Sequence, residues 1–313
     1  MKRLQKVKII TDSSCDLTLE QYQKYNVDFV PAYAVIEGKK YKQHYDITTD
    51  ELYEKLIIKK KSISTAVPSP QDFFKVYEKA TTEAESVIAI FLTKKLSGLF
   101  QTGALVAKKY FQDEDLTLID AKSCSLAQGL LVMEAAEMAQ KGKSKAEIIS
   151  RLEHLSKYAH AFAMVDTLEY LHRGGRIRLY KKLIGDLLRV KPVIQLDKTG
   201  ANLEGHIRGR EKGMLHMKMF GLRLQDHLKN KRMFVAYTDN KSLADEIAKF
   251  LNENGQENIE VLVGQLGSVV GVHGGPDVVG YGFIGKYHPD MFFKPQEVAI
   301  QGAQSKFKFP SKG

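Results

Sequence analysis

Val87-Ile-Ala-Ile-Phe-Leu-Thr93, then Lys94-Lys-Leu-Ser-Gly98, then Leu99-Phe-Gln-Thr-Gly-Ala-Leu-Val-Ala-Lys-Lys-Tyr110 gives an apolar run, a polar turn and a helix-length segment in that order. A short apolar run bounded by turn residues reads as a buried strand, and the segment after Gly98 reads as a helix to about residue 110. The same succession continues with a strand at Leu116–Asp120 and a helix over 125–141 that stops at Gly142. Upstream, Lys6–Thr11 reads as a strand, Thr18 with Gln21 as a capping box for a helix over 19–25, and Phe29–Ile36 as the next strand. Thr48 with Glu51 caps a helix to about Lys60, and Ser69-Pro70 sets a capping hydroxyl before a proline at the first helical position. Strands alternating with helices predict a parallel, doubly wound sheet.

Past a further helix opened by Ser144 and Glu147 and running to about Tyr158, the pattern changes. Strands are predicted near 160–166, 193–197, 203–208, 232–238, 259–265 and 281–287, with helices at 167–172, 176–190, 210–229 and 242–253. Asp197-Lys-Thr-Gly-Ala-Asn202 is a hairpin signal, so pairing here includes antiparallel strands. The expected fold is α/β with two domains: 1–158 an N-terminal doubly wound parallel sheet, 159–287 a C-terminal mixed α/β domain, and a ligand between them. A chain of 313 residues fits two cores better than one. Residues 288–313 carry Pro289, Pro295 and Pro310 without a period and read as a loosely attached tail.

Composition narrows the function. The 47 Lys and Arg against 37 Asp and Glu give a net charge of +10, which suits an acidic protein, an anionic membrane or a nucleic acid. Zinc-finger spacing, an RNP-like aromatic strand and a helix-turn-helix are all missing from the sequence, so no nucleic-acid partner is expected. No stretch reaches the roughly 18 apolar residues of a membrane span, and the N-terminus has no signal-peptide core, so a cytoplasmic location is expected. Cys15 and Cys124 have no metal-ligand spacing and read as reduced packing residues, and no metal or cofactor is expected.

Five dispersed motifs carry the chemistry: Thr11-Asp-Ser-Ser-Cys-Asp16, Ser64-Thr-Ala-Val-Pro-Ser69, Leu96-Ser-Gly98, Arg173-Gly-Gly-Arg-Ile177 and Gly271-Val-His-Gly-Gly-Pro276. Their scatter points to one site folded together from both halves of the chain, for a ligand with a compact anionic head. Ser97 stands where a helix begins and unpaired N–H groups favour an anion; it also reads as an ordinary N-cap. Thr65 either donates to the same head group or satisfies the turn before Pro68. Asp12, Ser13 and Ser14 end the first strand, where open α/β sheets bind ligands, though turn and cap roles explain them too. Arg176 follows two glycines that allow close backbone approach, and His273 reads as a loop imidazole suited to hydrogen-bonding an anion. Residues 176–190 have apolar residues at helical spacing with basic residues on the other faces, the pattern of a core helix or of one that touches an anionic membrane.

In this order the motifs resemble the DegV family of bacterial fatty-acid-binding proteins, the carrier subunits of fatty acid kinase, over about residues 7 to 287. The resemblance implies a long-chain fatty acid as ligand, its tail in an apolar tunnel, and a separate fatty acid kinase catalytic subunit as partner that phosphorylates the carboxylate, with no catalytic residue in this chain. It places Thr65, Ser97 and His273 at the carboxylate, Arg176 and Arg208 in the surrounding cationic shell, and residues 176–190 as a cover in transient contact with the membrane surface. Departures are Thr65-Ala-Val-Pro68, Leu96-Ser-Gly-Leu-Phe100 and Gly275-Pro-Asp277. Ala66 and Val67 remove polar side chains beside the head site, and Asp277 would raise the pKa of His273 if the two approach. Two other readings remain open: an enzyme in its own right, a phosphotransferase or a hydrolase using Ser14 or Ser97, and a lipid sensor.

Overall fold

The computed structural model describes residues 5–59, 63–177 and 190–293. Its strands are β1 (Gln5–Asp12), β2 (Val27–Val30), β3 (Tyr33–Ile36), β4 (Lys39–Lys42), β5 (Ile63–Ala66), β6 (Ala84–Phe91), β7 (Leu116–Asp120), β8 (Ala159–Met164), β9 (Val190–Asp197), β10 (Gly200–Arg208), β11 (Leu228–Tyr237), β12 (Glu260–Gln265) and β13 (Val279–Gly285). The helices are α1 (Leu19–Tyr25), α2 (Thr49–Tyr53), α3 (Pro70–Glu83), α4 (Leu99–Tyr110), α5 (Ser125–Gln140), α6 (Lys145–Leu155), α7 (Glu169–Arg173), α8 (Arg210–Gln225), α9 (Lys241–Asn254), α10 (Ser268–Gly274) and α11 (Asp290–Phe293).

The first sheet has strand order β2-β1-β6-β7 with every pairing parallel, as the alternation of strands and helices predicts. The second is mixed, in the order β10-β9-β8-β13-β11-β12, and the predicted hairpin is the antiparallel β9–β10 pair. Capping boxes open α1, α2, α3 and α6, each side-chain oxygen taking an N–H that the first turn leaves unpaired. The sheets share a core through α5. Its Gly129 lies against the Cys15 carbonyl on the first-sheet side, and a Cβ on Gly282 of β13 would meet Ala127 N at 2.7 Å on the other. Apolar residues run all round this helix because both faces are covered, and one buried cluster joins Ile88 and Ile90 to Phe234, Ala236 and Ile284.

Three local expectations are corrected. Phe29–Ile36 is not one strand: β2 and β3 lie in different sheets, divided at Pro31, whose missing N–H cannot serve a ladder. β3 instead forms a small antiparallel sheet in the order β4-β3-β5. The helix expected to reach about Lys60 is α-helical only to Tyr53 and continues as a π-helical turn through Glu54–Ile58. His273 is not on a loop but in the last turn of α10, which from the second half of the chain packs onto α2, β3 and β5 of the first.

The segment read as a tail begins packed against the second domain. Phe292 is buried, Arg223 of α8 donates to the Met291 carbonyl at 2.6 Å, and His216 Nδ1 lies 3.1 Å from the Phe292 carbonyl. Residues 294–313, and all but the ends of the helix expected over 176–190, lie outside the described residues.

Candidate functional site

Beyond the carboxyl ends of β1 and β6 lies a cavity of about 90 Å³ whose polar lining comprises Ser14, Thr65, Ser97, Arg176 and His273. Its apolar walls include Ala32, Leu92, Leu99, Leu171 and Val269. The structure thus brings together four of the residues singled out from sequence, carried by β5, the turn before α4, the chain after α7, and α10. Arg208, the fifth, is exposed at the end of β10 and does not line this cavity.

The hydroxyls are oriented by what they accept. Ser97 Oγ accepts from Leu99 N at 3.2 Å, so the capping role read from sequence is real, and its own proton remains available to the cavity. Thr65 Oγ1 lies 3.1 Å from His273 Nε2. Burial first, and the neighbouring Arg176 cation second, push His273 down to about 3, so its imidazole is neutral near pH 7. His273 Nδ1 is buried without a hydrogen-bond partner. Because an orphaned N–H is the rarer arrangement, the proton belongs on Nε2, which donates to Thr65 and turns the threonine proton outward. Arg176 donates through Nε to the Leu96 carbonyl at 3.1 Å and through Nη1 to the Gly174 carbonyl at 2.6 Å, which fixes the guanidinium and leaves other N–H donors for an anion. Two O–H donors and a cation around one cavity make a site for a carboxylate or similar head group.

Glycines in the motifs make room rather than flexibility. A Cβ on Gly174 would sit 2.1 Å from His273 Nδ1, and one on Gly271 would sit 1.9 Å from the Tyr53 hydroxyl oxygen. Tyr53 donates to the Leu266 carbonyl at 3.1 Å, so the Gly271 contact locks α10 against α2. Asp277 pairs with Arg210 at 3.0 Å and does not raise His273, contrary to the expectation for a close approach.

Asp12 proves to be a clamp. One carboxylate oxygen accepts from Ser14 N at 2.9 Å and from Ser14 Oγ; the other accepts from Leu92 N and from Gln128 Nε2, both at 2.9 Å. Ser14 therefore spends its proton on Asp12 while it lines the cavity. The hydroxyl–imidazole pair in the cavity is Thr65 with His273, and no carboxylate orients Nδ1, so among the described residues no serine hydrolase triad is assembled.

A second cavity, of about 40 Å³, lies deeper between the N-terminus of α5 and the face of the mixed sheet, and shares Cys124, Leu196 and Val270 with the first. Its lining includes Leu126, Ala161, Ala163, Ala236, Leu266 and Gly282. The two cavities fall below the roughly 300 Å³ at which small-molecule pockets begin, so their common wall must part to admit a large ligand. The sequence reading missed this chamber. Its signal was present: in Ala159-His-Ala-Phe-Ala-Met164 and Val279-Gly-Tyr-Gly-Phe-Ile284 small residues occupy alternate positions, hence one face of adjacent strands, where Gly282 pairs with Ala161 and Gly280 with Ala163. Among the described residues no cluster suits a metal ion, and no helix is long and apolar enough to cross a membrane.

Comparison with known proteins gives the same architecture. The model of a family described as "Uncharacterised protein, DegV family" matches residues 6–286. A DegV domain-containing protein from Caldanaerobacter subterraneus is 32% identical over 284 residues, covering 90% of this chain and 99% of the relative. A DegV family protein from Thermus thermophilus, whose structure is described as showing fatty acid binding, superposes with a TM-score of 0.79 at 30% identity, covering 90% of this chain and all of its own. A stearic-acid-binding protein from Eubacterium ventriosum superposes with a TM-score of 0.77 at 28% identity, covering 89% of this chain and 98% of its own.

Proposed function

Because this chain belongs to the DegV family, we propose that it binds a long-chain fatty acid and presents the carboxylate to a separate kinase subunit, which phosphorylates it to an acyl phosphate. One observation supports the reading above others: the cavity holding two outward-turned hydroxyls and Arg176 adjoins an apolar chamber that shares three of its wall residues. The carboxylate sits at Thr65, Ser97 and Arg176, with His273 holding the threonine; the alkyl chain passes Cys124, Leu196 and Val270 into the chamber. Burying a chain of roughly 14 methylenes at ~0.8 kcal/mol each supplies on the order of 11 kcal/mol before association costs. Each charge-assisted hydrogen bond at the head adds roughly 1.5–3 kcal/mol. Affinity therefore comes from the tail and position from the head. The net charge of +10 suits transient contact with an anionic membrane surface during loading.

Native mass spectrometry of the purified protein, with organic extraction, tests the binding step: one long-chain fatty acid per chain is expected, and a protein that holds none and refuses added fatty acid overturns the reading. For the transfer step, Ser97→Ala and His273→Ala are expected to retain acyl binding and lose kinase-dependent acyl phosphate formation. Loss of lipid retention with unimpaired turnover of the remaining complex would contradict that division of labour.

A further inference from the structure

Asp16 is a buried carboxyl group that the carboxylate-binding scheme does not use, and it stands where the two walls of the ligand path meet. It lies in the left-handed region at φ 55°, and its Oδ2 accepts from Ser125 Oγ at 2.6 Å. Ser125, also left-handed at φ 55°, opens α5 and lines the inner chamber. Strained non-glycine residues persist only where their surroundings hold them, and here two of them hold each other. The other oxygen, Oδ1, is buried without a hydrogen-bond partner. It faces Gly267, the residue before α10, so closely that a Cβ there would lie 2.6 Å from Oδ1 and 2.2 Å from Gln43 Nε2. Gln43 fastens the same helix: it donates to the Ser13 carbonyl at 3.1 Å and accepts from Val269 N at 3.3 Å. A single carboxyl thus touches the helix that roofs the chamber and the helix that carries His273.

We propose that Asp16 is a positioning residue for lipid binding, which in its neutral form keeps α10 against the start of α5 and on ionisation lets the two walls separate and the ligand go. The proposal rests on the fatty-acid reading above. An ionised Oδ1 without a donor requires water, and water reaches it only if α10 moves away. Burial pushes the Asp16 carboxyl up to about 8, so the neutral form prevails near pH 7. The groups facing it are Asp12 and Cys15 on its own turn, Tyr22 of α1, Gln43 and His44 after β4, Tyr53 of α2 and Cys124 before α5. Both tyrosines and both thiols are raised and His44 is lowered, all by burial, so these titrate outside pH 7–9.5. Burial raises Asp12 as well, and a variant at Asp16 separates the two.

The experiment measures dissociation constants of delipidated protein for laurate, kept below its aggregation concentration and ionised throughout, between pH 6.5 and 9.5. Linkage allows up to about tenfold per pH unit above the carboxyl's own value, so wild type should weaken by about fivefold or more between pH 7 and 9.5. Asp16→Asn, nearly the same shape and never charged, should bind at pH 7 within about threefold of wild type and stay flat, with thermal melting confirming that it folds. A flat wild-type profile overturns the proposal and leaves the binding reading standing. An equal fall in Asp16→Asn assigns the effect to Asp12 or elsewhere and also overturns it. Wild type that takes no laurate at any pH removes the fatty-acid reading itself.

Discussion

The head cavity and the inner chamber share three wall residues and are built on opposite principles. Around the head, every polar group sits at the end of an element and is held by its own bond: Ser97 by Leu99 N, Thr65 by His273, Arg176 by two carbonyls. The chamber has no such devices. It exists because Ala161, Ala163, Ala236 and Gly282 leave the sheet face low beneath α5. Polar residues can orient a ligand within one or two ångströms, whereas a low apolar face can only admit or refuse volume. The largest effect should therefore come from filling the chamber. Ala163→Leu, which denies space to about four methylenes at ~0.8 kcal/mol each, should cost ~3 kcal/mol of affinity for a sixteen-carbon acid, roughly two orders of magnitude, with little change for a ten-carbon acid. Equal losses for both chain lengths, read by calorimetry, would show that Ala163 does not face the tail.

Gly174→Ala attacks the other end. The added Cβ would lie 2.1 Å from His273 Nδ1, so the imidazole must move and its bond to Thr65 must stretch. Overpacking of this kind costs roughly 1–3 kcal/mol of stability, readable as a lower denaturation midpoint. Fatty-acid affinity should fall less than in Ala163→Leu, while acyl phosphate formation with a kinase subunit falls more. If affinity falls as far as it does for the chamber variant, the head contributes binding energy as well as position.

That contrast also explains what the sequence made legible. Strand–helix alternation, four capping boxes and the hairpin at 197–202 are local signals, and each reappears in the structure. Thr65, Ser97, Arg176 and His273 lie up to 208 residues apart, and each alone has a duller explanation; their order as motifs is what groups them. The chamber went unread because its lining is alanine and glycine, whose contribution is the absence of side chain. Glycine also concealed α10: Gly271 and Gly274 argue against a helix by propensity, yet Gly271 is there because Tyr53 fills the place of its Cβ. The Pro31 break was legible from the missing N–H and was overlooked inside an otherwise continuous apolar run.

Acid should expose the head before the chamber. His273 is depressed to about 3 in the fold against an ordinary value near 6.5 when unfolded. Between those values the unfolded chain binds the extra proton, so stability is present above about pH 6.5 and declines as pH falls toward 3. Because the ring is only partly buried, screening reduces the effect to roughly 1–2 kcal/mol. His273→Gln keeps a donor toward Thr65 and cannot charge, so its melting temperature should fall less than wild type's between pH 6.5 and 4. His160, lowered to about 4 by burial on the mixed sheet, remains in both proteins and sets the residual slope. An unchanged acid limb in the glutamine variant would place the titration at His160 and leave the head cavity out of the fold's acid response.

The smallest effect distinguishes two arginines that the motifs had grouped together. Arg176 is partly buried, fixed by the Leu96 and Gly174 carbonyls, and lines the head cavity; Arg208 is exposed at the end of β10 and lines neither cavity. A charge contact across water is worth a few tenths of a kcal/mol at physiological salt, whereas one inside a dry cavity is worth roughly 1.5 kcal/mol or more. Arg176→Ala should weaken fatty-acid binding about tenfold, an effect that survives high salt, and Arg208→Ala by less than about twofold, vanishing in salt. The two are compared with one acid, by titration at low and high ionic strength, so that chamber contacts cancel. Should Arg208→Ala lose as much as Arg176→Ala, the head group would extend past the cavity to the end of β10, and the boundary between the orienting end and the binding end would have to be redrawn there.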